Sequence, residues 1–242
     1  MNLTWTSHGQ QFRFQAGDLV CEVDPAQPHA GARVTRASEP ASELVSAFAQ
    51  PSLSHNPLIQ EDCFVRQTDL CLRYAASKDL PTSVSVVWRL QDPAEWLSYN
   101  TTGSQPPALL LECVISFQTD LLDAAPVQEV LSRFPAGALL PVPPLRPAHP
   151  GEIDWPRSEN ANLIAAEGRL FLSTVYPSDL RWLATSRDGK HYSQQIRLRA
   201  ENLEKGVIRR LRCLLAVGPE SLRNEFEKLP DRFADSKLPL SV

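Results

Sequence analysis

The chain has 242 residues, 43% of them apolar and 21% charged, with a formal net charge of −4. That composition supports a sizeable buried core and excludes disorder as the main state, and the negative charge gives no global field for nucleic acid or anionic lipid. Only 10 glycines against 21 prolines argue against glycine-rich phosphate loops and for short, well-punctuated elements.

The opening, MNLTWTSHGQQFRFQAG, has no basic region followed by an apolar run, so no secretory signal is expected there. No stretch approaches the roughly 18 apolar residues of a membrane span, and a cytoplasmic location is expected. Phe12-Arg13-Phe14 and Leu19 to Val23 alternate either side of Gly17-Asp18, the pattern of a hairpin. Ala32, Val34 and Arg36 fall on one side of a further strand. Glu39 to Ala49 fits a short helix or, equally, a strand and a loop, given Pro40 and Pro51. Residues 51 to 62 read as a loop by composition. CFVRQTDLCLRYAAS makes two strands around Thr68-Asp69, Ser83 to Leu90 a third, and Ala108 to Leu122 a long one. The segment between the last two is a loop carrying Trp96 and Tyr99.

Prolines 141, 143, 144, 147, 150 and 156 crowd one segment, which is too proline-rich for a helix or a central strand. It reads as an extended crossover at about 139–157 within one β-domain spanning residues 1–242. A linker between two domains is the other reading, disfavoured because each half has too few strands to close a core. Beyond it, NLIAAEGRLFLSTVYP turns at Glu167-Gly168, and Asp188-Gly189 is the strongest hairpin signal in the chain. In GPESLRNEFEKLP, Ser221 stands in a capping position before Leu222, Phe226 and Leu229 at helical spacing, which predicts a short helix.

ENLEKGVIRRLRCLLAV, residues 201–217, fits two periods. As a helix it puts Leu203, Val207, Leu211 and Leu214 on one face, but Gly206 would sit inside at a cost of about 1 kcal/mol. As a strand it follows a turn ending at Gly206 and returns against residues 194–199 as a hairpin, at the cost of arginines sharing faces. The local evidence favours the strand. TDLCLRY echoes GRLFLST, and LECVISF echoes LRCLLAV, each one hundred residues on, which raises an internal duplication.

The segments FVRQTDLCLRYAAS, ECVISFQTDLLDA and NLEKGVIRRLR resemble those of an uncharacterised family of bacterial proteins of similar length, which brings no established activity. DLVCEVDPAQPHAGARVTRASEPASELV resembles the opening of galactose-mutarotase-like supersandwich domains. This second resemblance implies a twisted antiparallel β-sandwich with a concave sheet that often binds sugars, and it strengthens the strand reading of residues 202–217. The paired histidines and the glutamate of active aldose epimerases have no counterpart here. His55 and His149 stand in unsuitable contexts, so no catalytic residue is carried over.

The chain lacks the P-loop, the dinucleotide-binding glycine motif and the nucleophile elbow. Its histidines stand too far apart for a helix-borne metal pair, and its five cysteines form no C-x-x-C pair and read as free, mostly buried thiols. No metal and no cofactor is expected. Glu152, Asp154 and Glu159 read as solvated loop acids rather than a glycosidase pair. Arg197, Arg199, Arg209, Arg210 and Arg212 read as a solvated sheet face laced with ion pairs, without the interleaved aromatics of a nucleic-acid platform.

The aromatic residues point to a ligand. Rings beside polar groups suit the apolar face and the hydroxyls of a sugar. Trp88 and Trp182 fall in apolar strand patterns and fit core positions, whereas Trp155 has neighbours that are poor core formers. The expected ligand-binding set is Trp155, Asp154, Trp88, Arg89, Tyr176 and His191. The expected fold is mostly β, an antiparallel supersandwich-like β-sandwich with a short C-terminal helix. The expected function is non-catalytic binding of a carbohydrate or similar polar ligand, with no nucleic-acid or membrane partner. Two readings stay open beside it. A sugar-active enzyme related to epimerases or lyases needs an acid–base pair converging in a pocket. A protein-interaction module, its partner not indicated, needs an apolar patch or an unpaired edge strand.

Overall fold

A computed structural model of the chain describes residues 3–50, 58–78, 81–98, 108–122, 129–142, 160–198 and 203–237. Two eight-stranded sheets pack into a sandwich, and every strand pairing is antiparallel. The first sheet begins with β1 (Thr6–His8), β2 (Gln11–Ala16), β3 (Leu19–Val23), β4 (Ala32–Arg36) and β5 (Glu39–Ala49), laid side by side in chain order. The second begins with β6 (Ile59–Arg66), β7 (Asp69–Ala75), β8 (Thr82–Leu90) and β9 (Leu109–Thr119). The chain then returns to the first sheet with β10 (Glu129–Pro135), and to the second with β11 (Ala138–Leu140), β12 (Ala161–Ala166) and β13 (Arg169–Val175). A hairpin of β14 (Leu180–Arg187) and β15 (His191–Leu198) completes the first sheet, and β16 (Ile208–Pro219) completes the second.

Period-two alternation builds the core. The inner faces contribute Phe14, Cys21, Val34 and Phe48 from one sheet and Leu72, Trp88, Ile115 and Leu215 from the other, all buried. Burying each large side chain contributes about 1.5–3 kcal/mol. Trp88 stacks on Phe48 across the interface, their ring centroids 6.5 Å apart. The indole N–H of Trp5 donates to the carbonyls of Thr68 at 3.1 Å and Trp88 at 3.2 Å, satisfying a donor that burial would otherwise leave unpaired.

The predicted hairpins at Gly17-Asp18, Glu167-Gly168 and Asp188-Gly189 all form. Glu39 to Ala49 is a strand, not a helix, and it lies between β4 and β10. β6 begins at Ile59, inside the stretch read as loop, and its turn is Gln67-Thr68. It is an edge strand exposed along most of its length, so its polar residues carry no inside–outside contrast to read. Most of the proline-rich crossover lies outside the described residues.

β16 confirms the strand reading of residues 208–217 but not the hairpin. It pairs with β9 and β13 in the second sheet, while β15 pairs with β10 and β14 in the first. Gly206, at φ +78°, makes the turn before it. The separation keeps Arg197 away from Arg210 and Arg212: Arg197 pairs with Glu129, Arg212 with Glu112. The C-terminal helix is broken rather than continuous. A 3-10 turn (Glu220–Leu222) leads into α2 (Arg223–Phe226) and then α3 (Leu229–Asp235), and Ser221 makes no capping bond. Pro230 opens α3 because a first-turn proline needs no donor of its own. A further four-residue helix, α1 (Pro93–Trp96), lies between β8 and β9, capped by the Asp92 side chain. No helix among the described residues is long and apolar enough to cross a membrane.

Candidate functional site

The outer face of the second sheet divides into two halves. Register puts Asp69, Arg89, Glu112 and Leu214 in one row across β7, β8, β9 and β16. The next rows are Cys71, Val87, Val114 and Arg212, then Arg73, Ser85, Ser116 and Arg210. Directly paired residues share a face, so these rows form a continuous surface.

One half is covered. Leu110, Leu172 and Ala216 pack against Leu222, Phe226 and Leu229 of the C-terminal helical segment. At its margin Arg212, 1% exposed, donates Nε to Glu112 Oε1 at 2.6 Å and both terminal nitrogens to Ser236. Its guanidinium lies between the rings of Tyr176, at 5.1 Å, and Phe233, at 4.8 Å. The second Glu112 oxygen accepts from Gln91 at 2.7 Å. Arg89 grips Asp69 through two bonds of 2.7 Å. The Arg212 backbone N–H donates to Asp179, whose carboxyl is pushed up by burial, with Ser178 and the arginines opposing. Each buried charge here has a partner, as burial demands. The sequence expectation of a solvated arginine face is therefore corrected for Arg212. The physical reason is the helix laid over it.

The other half is open. A groove of about 610 Å³ is bordered by Arg73, Ser83, Ser85, Ser116, Gln118 and Arg210, with the exposed carboxylates Glu61 and Asp120 also lining it. Ser83 is engaged, donating to the Gln118 carbonyl at 3.2 Å. The Ser116 hydroxyl and Arg210 Nε are buried with no hydrogen-bond partner among the described residues.

A second groove, of about 500 Å³, lies on the outer face of the first sheet, among Glu22, Asp24, Arg33, Glu43, Ser46 and Arg133. There Arg33 already bonds the Pro40 carbonyl at 3.1 Å and faces Glu43 at 3.6 Å. On the same sheet Trp182 is 47% exposed, correcting its expected core position. It is on β14, the edge strand of that sheet, where alternation does not guarantee cover. Beside it Arg197 holds Glu129 at 2.6 Å and, with Gln195, lowers that carboxyl.

The residues named from sequence scatter over this frame. Trp155 and Asp154 lie outside the described residues. Trp88 is buried on the inner face, while Arg89, its neighbour on the same strand, points outward to Asp69. Tyr176 follows β13 and meets Phe233 edge-on at 6.0 Å. His191 opens β15 in the other sheet, 3.6 Å from Asp188. Of these, Arg89 and Tyr176 belong to the charged and aromatic network that seats α3. Arg73, Ser85, Ser116 and Arg210 were not singled out together. Their signal was the alternation of small polar residues in SVSVV and VISFQ, visible only once the strands are aligned.

Two antiparallel sheets in this order, with one outer face half covered by a C-terminal helical segment, form a supersandwich-like β-sandwich. The chain is similar in fold to a protein from Escherichia coli K12 described as a putative aldose 1-epimerase. The two share 11% identity, with 86% of this chain and 98% of that one covered at a TM-score of 0.52. A putative kojibiose phosphorylase from human microbiome aligns at 7% identity and a TM-score of 0.45, over 98% of this chain and 34% of that one. No protein-family model matches the chain, and no curated protein matches it.

Proposed function

We propose that this chain binds a carbohydrate or a similar polar ligand in the groove on the outer face of β7, β8, β9 and β16, without turning it over. The observation that carries this reading is the groove floor itself, where Ser116 and Arg210 hold buried polar atoms without partners among the described residues. Small hydroxyl side chains beside guanidinium groups supply the donors and acceptors that sugar hydroxyls require. The sugar-related name of the E. coli neighbour is consistent with this reading through the fold alone.

A thermal-shift screen against monosaccharides, uronic acids, sugar phosphates and oligosaccharides tests it. A ligand at a hundred times its dissociation constant stabilises by about 2.7 kcal/mol, which is several degrees for a chain of this size. A reproducible shift with one sugar class, lost in Arg210→Ala, supports the groove. A shift lost in Trp155→Ala but kept in Arg210→Ala moves the site to the proline-rich segment and to Asp154 beside it. No shift across the panel sinks the carbohydrate reading. Where binding is found, exchange of the sugar anomers measured by NMR separates a binder from an epimerase.

A further inference from the structure

We propose that the groove selects an anionic carbohydrate, a sugar phosphate or a sugar acid, through Arg73 and Arg210. This inference rests on the carbohydrate reading above and names the ligand class for the same groove.

Many of this chain's other arginines hold carboxylates. Arg36 pairs with Glu167, Arg89 with Asp69, Arg169 with Asp18, Arg197 with Glu129, Arg212 with Glu112 and Arg223 with Glu227. Carboxylates are in excess, 28 acidic residues against 24 basic ones, so acids to pair with are not scarce. Among the described residues, Arg73 and Arg210 are in no such pair, nor are Arg13, Arg133, Arg181, Arg187 and Arg209, but Arg73 and Arg210 are the two that meet in one groove, although Glu61 and Asp120 line it too. Those two carboxylates are exposed and solvated. Arg210 is half-buried, and its Nε is shut off from solvent with no acceptor. Such an orphaned donor costs about 1–3 kcal/mol, and in a native structure it calls for an unseen partner.

The geometry narrows the partner. Arg73, Ser85, Ser116 and Arg210 form one register row across four adjacent strands. The two arginine backbones therefore stand three strand spacings apart, roughly 14 Å. The residues between them are serines, small enough to leave the row open, and the Ser116 hydroxyl has no protein partner. A guanidinium fork matches phosphate and carboxylate oxygens two at a time. Hydroxyls lying between two such forks match a ligand that carries hydroxyl groups next to its charge. A bare anion uses only one end of this row, and a neutral sugar leaves both guanidinium groups unpaired.

Isothermal titration of the full chain tests the proposal. The probes are hexose monophosphates, hexuronates, the neutral parent hexoses and inorganic phosphate. The variants are Arg73→Gln, Arg210→Gln and Arg210→Lys. At least one charged hexose should bind about tenfold or more tighter than its neutral parent, and more weakly as salt rises. Each glutamine variant should lose about tenfold of that affinity, and Arg210→Lys should recover part of it. The phosphate and uronate arms decide between the two charged groups. Unliganded melting temperatures report whether each variant folds. Equal binding of neutral and charged hexoses, unchanged in the variants, overturns this inference and leaves the carbohydrate reading standing. Inorganic phosphate binding as tightly as any hexose phosphate overturns it in favour of a plain anion site. No heat from any probe overturns both.

Discussion

Arg210 and Arg212 lie on the same strand and point to the same face, two residues apart, yet they sit in opposite physical situations. Arg212 is roofed by α3, bonded to Glu112 and Ser236 and flanked by two aromatic rings. Arg210 borders an open groove, and its Nε has no hydrogen-bond partner among the described residues. The difference is where the C-terminal helical segment stops covering the sheet. Under the helix, a charge survives burial only when every donor is satisfied. Beyond the helix the surface is open, and on the reading proposed above the unsatisfied group there serves binding. What lies above a basic side chain on this sheet thus decides whether it is paired within the protein.

The comparison breaks hardest at Glu112. Glu112→Gln leaves the Arg212 charge buried without its counter-ion and should cost about 3–5 kcal/mol in urea denaturation. Replacing the pair together, Glu112→Leu with Arg212→Met, should recover most of that loss, since no charge is then stranded. A single variant no less stable than the parent would show that α3 does not seal the pair.

Glu225 tests the seating of the helical segment by pH. Its burial alone would raise the carboxyl, but Lys228, the Ser98 backbone N–H and Arg232 outweigh it and hold it at about 2 against an ordinary 4.5. A carboxylate with a depressed folded-state pKa contributes stability in full above its unfolded value, and loses that contribution as pH falls through the folded one. Glu225→Gln should therefore be less stable than the parent above about pH 4.5, and the gap should close as pH falls toward about 2. A gap that does not change with pH would mean the effect is packing rather than charge.

Ser236→Ala removes one acceptor from Arg212, and the hydroxyl that donates to the Phe233 carbonyl at 2.6 Å. It should cost about 1–2 kcal/mol in the same denaturation experiment, while the Glu112 bond remains. At the small end, Arg210→Ala should cause no loss of unliganded stability beyond about 0.5 kcal/mol, because it removes the unpaired Nε and Arg210 supports no other side chain. A large loss there would erase the contrast between the two arginines.

Much of the fold could be read locally. Phe12, Phe14 and the residues of β3 announce their hairpin because alternation and a Gly-Asp turn are properties of adjacent residues. The same holds for the hairpins at Glu167-Gly168 and Asp188-Gly189. Gln67 and Glu167 both adopt positive φ at hairpin turns, and Cys113 lies directly opposite Cys213. β10 was less legible, since Ser132 interrupts Val130 and Phe134 on its buried side. The candidate groove was less legible still. Its serines are unremarkable in β8 and β9 taken singly, and they become a floor only when Ser85 stands opposite Ser116.

The sequence by itself determined that this chain is built from antiparallel strands, because a strand's period and its turns are written in neighbouring residues. Only the tertiary structure decided that β16 leaves β15 for β9, joining Arg212 to a glutamate one hundred residues away. It also decided which arginines α3 covers and which it leaves open. Pairing partner and cover are chosen by long-range burial and charge, and a two-residue period carries no information about either.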